Sequence, residues 1–106
     1  MFKLLILPLL LCLPLGAWSQ EKDLPTRLAE TAEIYFDGRP QDALEQYIAI
    51  SKETQARDAF LNAAFIALEQ GHPKQAVDIM SSAYLLYPQD EDIIEFTAEA
   101  YLADGQ

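Results

Sequence analysis

Gly38-Arg39-Pro40-Gln41-Asp42-Ala43 and Gly71-His72-Pro73-Lys74-Gln75-Ala76 carry the same signal 33 residues apart. In each, a glycine can take the positive φ that ends a helix. A proline two residues on suits a first helical position, where its missing N–H would be unbonded anyway. Gly105 follows Gly71 by 34 residues and also ends an amphipathic stretch. Units of helix, tight turn and helix at such a period bury their apolar faces by stacking on one another, and few other folds are compatible with that.

The middle unit, Phe60 to Pro88, shows the pattern best. Its first helix should run to Gln70 and its second should start at Pro73. Ala63, Ala64 and Ala67 on the first and Ala76 and Ala83 on the second have the small side chains, at three- and four-residue spacing, that let two helix axes approach closely. Pro88 ends the pair, because proline disfavours helix at itself and just before it.

The same reading extends along the chain. A first helix is expected from Leu24 to Asp37, capped by Asp23 or Thr26, and a second from Pro40 to Lys52 that buries Ala43, Leu44, Tyr47, Ile48 and Ile50. Thr54 should cap a third from Gln55 to Gln70, and the fourth should run from Pro73 to Tyr87. Asp90 should cap a fifth from Glu91 to Ala103, with Glu91 and Asp92 at the positive end of its dipole. No stretch alternates with period two over strand length, so no sheet is expected.

These residues resemble the tetratricopeptide repeat (TPR) family over about residues 24–106. Phe60 falls where that family puts its large aromatic, and Ala63-Ala64 fall at its Leu-Gly pair. Ala67 replaces the usual tyrosine, while Ala76, Met80, Ala83 and Pro88 fit the second helix and its end. The first unit keeps Gly38, Ala43 and Tyr47, but has Arg27 at the aromatic position, Glu30-Thr31 at the small pair and Gln55 for the proline. The third contributes Ile94, Thr97-Ala98 and Tyr101. The resemblance implies an all-α fold, with antiparallel helix pairs stacked as a right-handed TPR-like solenoid of five helices.

The resemblance also implies a binding surface. In TPR proteins the first helix of each pair lines a concave groove where peptides or partner helices dock. Carried onto this chain, the groove takes Leu28, Ala32, Tyr35 and Phe36 from the first unit. The second adds Leu61, Phe65, Leu68 and Glu69, and the third Glu95, Glu99 and Leu102. It would be apolar at one end and acidic at the other. Some TPR domains clamp a C-terminal carboxylate. Here Asn62 matches one asparagine of that clamp, but Leu28 and Ala32 stand where a basic residue and an asparagine are needed, so a carboxylate-clamp role is not implied.

Residues 1–19 read as a cleavable secretory signal peptide, ahead of one repeat domain over 20–106. Lys3 gives a short positive start, Leu4 to Leu15 an apolar core, and Ala17-Trp18-Ser19 small residues where a signal peptidase reads. The apolar run is shorter than the ~20 residues a spanning helix needs, and Pro8 and Pro14 interrupt it. An uncleaved anchor is the alternative. The single cysteine, Cys12, lies inside this segment, and Leu11 before it does not suit a lipoprotein signal. The rest of the chain therefore offers no thiol or disulfide, and burial must stabilise it. Export to a periplasm or cell envelope is expected, with full secretion the alternative.

Seven basic against seventeen acidic residues leave a net charge of −10, and removal of Lys3 makes it more negative still. Such a chain is repelled by nucleic acid and by anionic lipid, and favours partners with apolar or basic surfaces. The same charge also keeps an exported protein soluble. No stable membrane insertion is expected after cleavage.

No catalytic constellation, metal site or cofactor motif stands out, and the chain does not read as an enzyme. His72 sits alone in a turn, with no second histidine or thiol to share a metal. Asp90-Glu91-Asp92 lacks the glycine and distal glutamate of a calcium loop and reads as a dipole-matched cap. Ser51, Ser81 and Ser82 have no nucleophile turn or histidine base at a recognisable spacing, and Glu95 and Glu99 read as a solvated face.

Ile93, Ile94, Phe96, Ala98, Tyr101 and Leu102 cover more than one face of the fifth helix, which a terminal helix should not do. The array is therefore expected to continue past Gln106, or that face to meet a partner or a second copy. The expectation is an exported interaction module docking a peptide or helix of a partner in envelope assembly or scaffolding. Its alternatives are the docking front of a longer envelope enzyme and a small exported ligand-binding helical bundle.

Overall fold

The computed structural model describes residues 22–105, so the expected signal segment lies outside the described residues. These residues form five helices and no strand: α1 (Leu24–Phe36), α2 (Pro40–Thr54), α3 (Arg57–Glu69), α4 (Pro73–Leu86) and α5 (Glu91–Ala103). Each helix packs against the next, and α3 also packs against α5. The result is an all-α stack of consecutive helix pairs, as the 33–34-residue period requires.

The repeated glycines close their helices in the same way. Gly38 donates its N–H to the Tyr35 carbonyl at 3.0 Å, and Arg39 to that of Ile34 at 3.2 Å. One unit later Gly71 donates to Leu68 at 3.1 Å and His72 to Ala67 at 2.8 Å. Both are Schellman turns, which use carbonyls the helix end would otherwise leave unbonded. Gly38 and Gly71 have φ of +86° and +80°. A Cβ at either would meet nothing within 4 Å, so the left-handed backbone rather than lack of room requires glycine. Pro40 and Pro73 then open α2 and α4.

The α2–α3 connection departs from the expected boundaries. Thr54 does not cap α3. It is the last residue of α2, where its hydroxyl donates to the Ile50 carbonyl at 2.8 Å and accepts the Ala56 N–H at 3.1 Å. Gln55 makes the reversal with φ +58°, Ala56 is the N-cap, and α3 begins at Arg57 rather than Gln55. A β-branched residue resists the left-handed region, so the turn falls on the following glutamine. The other ends shift by one or two residues. α1 stops at Phe36, α2 runs two residues past Lys52, α3 stops at Glu69, and α4 stops at Leu86 because Pro88 pulls Tyr87 out of helical geometry. Asp23, not Thr26, caps α1 by accepting the Thr26 N–H at 3.0 Å.

Small residues do set the helix contacts: Ala43, Ala63, Ala64, Ala67, Ala76, Ala83 and Ala100 are completely buried. Leu44, Tyr47, Phe60, Ile66, Met80 and Ile93 fill the space between them as one cluster. Ile48, expected in this core, is only partly buried against it. Thr31, at the small-residue position of the first unit, is 1% exposed. Its hydroxyl donates to the Arg27 carbonyl at 2.8 Å, so the departure from a small apolar residue leaves no unsatisfied polar atom.

Candidate partner-docking groove

α1, α3 and α5 present one side of the stack, and two adjoining hollows open on it. The first, about 220 Å³, is lined by Ala32, Tyr35 and Phe36 of α1, Tyr47 of α2, and Asn62, Phe65 and Ile66 of α3. The second, about 520 Å³, is lined by Leu61, Asn62 and Phe65 of α3 and by Asp92, Glu95, Phe96 and Glu99 of α5. Asn62 and Phe65 belong to both and form the wall between them. Phe36 is 80% exposed and Phe65 45%, although both are large apolar side chains. The Tyr35 and Phe36 rings meet edge to face, with centroids 5.3 Å apart.

Hydrogen bonding joins the units along this side. The Tyr35 hydroxyl donates to the Glu69 carboxylate at 2.5 Å, across 34 residues. That bond, with the negative charge behind it, holds the phenol above its ordinary ionisation range. At the α3–α5 junction the Arg57 guanidinium donates to the carboxylates of Asp90 and Asp92 and, at 2.9 Å, to Asp58. Arg57 therefore holds the Asp90 carboxyl below the usual carboxylate range and is itself held more firmly protonated.

The expected groove residues divide in three. Ala32, Tyr35, Phe36, Leu61, Phe65, Glu95 and Glu99 come together in the two hollows. Glu69 stands beside them through Tyr35. Leu28 and Leu68 turn partly inward against the core, and Leu102, 74% exposed, lines neither hollow. Sequence reasoning missed Phe96, Asp92, Tyr47 and Ile66 as lining residues and missed Arg57 altogether. Phe96 was recoverable from its spacing of one residue beyond Glu95 and three before Glu99. Tyr47 was not, because its alternation with Ala43 and Leu44 marks only a buried helix face.

Among the described residues no helix is long and apolar enough to cross a membrane, and no group of three or more histidine, cysteine, aspartate or glutamate side chains is placed to hold a metal. His72 is exposed at the start of α4, and its side chain makes no capping bond. Comparison of the chain with protein-family models, curated proteins and solved structures finds no match.

Proposed function

We propose that this chain is an exported TPR-type interaction module that docks a peptide or helix of a partner protein in the groove of α1, α3 and α5, in envelope assembly or scaffolding. One observation carries the docking: two joined hollows hold exposed aromatic rings that the chain's own core leaves uncovered. Covering such rings is favourable at roughly 25 cal/mol per Å² of apolar surface, before the costs of association. The family reading is supported by the Schellman turn and proline that recur at one period, and the export reading by the pattern of residues 1–19.

A crosslinking pull-down from the exported fraction of the protein's own cells tests it, with the wild-type chain and a Phe36→Lys/Phe65→Lys variant as baits. A dominant partner captured by the first and lost by the second is the expected result. A partner retained by both removes the groove from the reading.

Exposed apolar side chains on the last helix pair, Tyr84, Leu85, Ile94 and Leu102, favour a second reading, self-association through the fifth helix. Analytical ultracentrifugation of the chain alone distinguishes it, since that reading requires a concentration-dependent dimer.

A further inference from the structure

The two hollows differ in chemistry, and the difference specifies what can lie across them. The first is walled by aromatic and aliphatic groups and has no charged lining residue. The second carries Asp92, Glu95 and Glu99. Glu95 and Glu99 stand one helical turn apart, a spacing at which like charges repel. Nothing in the described chain relieves them. Lys22 pairs with Glu30, Arg27 with Glu53 and Arg39 with Asp42, while Arg57 is held by Asp58, Asp90 and Asp92. Lys52 lines a separate hollow between α2 and α4, and Lys74 lies beside the His72 turn. An apolar hollow therefore adjoins one whose two free carboxylates want an incoming cation.

Only Asn62 and Phe65 separate the hollows, so two occupants sit about one side chain apart. In an extended chain, residues i and i+2 share a face at roughly 7 Å, which suits that separation. The Asn62 amide makes no hydrogen bond within the described residues and stands on the dividing wall. An extended backbone has free N–H and C=O groups to offer it, whereas the backbone of a helix is already satisfied internally.

Resting on the groove reading above, we propose that the groove recognises an extended peptide segment with a large apolar residue and a lysine or arginine at i and i+2. The apolar side chain enters beside Tyr35, Phe36 and Phe65, and the cation lies between Glu95 and Glu99. Residue i+1 faces solvent and is unrestricted. The charge contributes selectivity and the apolar side chain most of the affinity, as at other partly exposed interfaces.

The test uses fluorescence anisotropy with the folded protein and four labelled octapeptides, acetylated and amidated and otherwise of glycine and serine. They carry Phe-x-Arg, Phe-x-Glu, Ser-x-Arg or Phe-x-x-Arg, and octapeptides are too short to form stable helices. Phe-x-Arg should bind best, and exchange of Arg for Glu should weaken it by about fivefold or more at low salt. Glu95→Gln/Glu99→Gln, at exposed positions that do not support the fold, should erase the preference for Arg while Phe-x-Glu improves. Equal binding of Phe-x-Arg and Phe-x-x-Arg, a preference for Arg unchanged in the variant, or no binding of any peptide overturns the proposal. Loss of Phe-x-Glu binding in Phe65→Lys, with indifference to Arg, would leave the groove reading standing and remove only the two-site rule. Binding indifferent to Phe65→Lys would remove both.

Discussion

Arg57, the first residue of α3, donates through both Nε and Nη2 to the carboxylate of Asp90, 33 residues later. That carboxylate is also the cap of α5, its Oδ1 accepting the N–H groups of Asp92 at 3.0 Å and Ile93 at 3.3 Å. One side chain thus fixes the start of α5 and ties it to the start of the equivalent helix one unit earlier. Tyr87 reinforces the junction by donating to the Gln55 carbonyl at 2.5 Å.

Removing the arginine should release α5 before the rest of the stack. In Arg57→Met the backbone amides of Glu91–Ala103 should exchange with deuterium faster while those of α2–α4 keep their protection. Uniform loss of protection across all helices would show that the junction is not a separable unit.

The same contact makes a pH prediction. Asp90 ionises below its ordinary value of 3.8 in the folded chain, first because Arg57 hydrogen-bonds its charged form. A carboxyl depressed on folding contributes stability that is present above its unfolded value and lost as pH falls through the folded one. The melting temperature should therefore fall more steeply below about pH 4 in the wild type than in Arg57→Met. Asp23 is also depressed, through its bonds to Thr26, so Asp23→Asn should remove a separate part of the acid sensitivity. Parallel curves for wild type and Arg57→Met would contradict the assignment.

Gly71→Ala should cost about 1–2 kcal/mol in denaturant unfolding, the cost of a Cβ in the left-handed region. The φ of +80° sets this cost, since the added methyl group meets no neighbour. Gly71→Asn, which tolerates that region better, should recover part of it.

Gly38, Gly71 and the prolines behind them were legible because glycine and proline restrict the backbone itself, independently of what packs nearby. Gln55 was not, since its positive φ comes from the geometry of a two-residue connection and glutamine carries no signal for it. Helical spacing likewise identified the aromatic side of α1 and α3, but not how far each residue turns. Leu28 and Leu68 share the stripe with Phe36 and Phe65, yet pack partly against the core. Arg57 escaped for another reason: its partners lie a full repeat away, and only the folded stack brings them within reach.

Phe36 and Phe60 make the sharpest test of what is structural and what is available for binding. Phe60 is 6% exposed and packs in the core, so Phe60→Ala should destabilise the chain by about 3–5 kcal/mol. Phe36 is 80% exposed at the last position of α1, touching the Tyr35 ring and lining the first hollow. Phe36→Ser should leave folding stability within roughly 0.5 kcal/mol, as surface substitutions do. If the groove docks a partner, the same change should weaken that complex, because the ring has little to do within the chain itself. Urea unfolding of both variants, with partner binding measured for Phe36→Ser, separates the roles. A Phe36→Ser variant that lost several kcal/mol would return this ring to the core and leave the first hollow without its exposed wall.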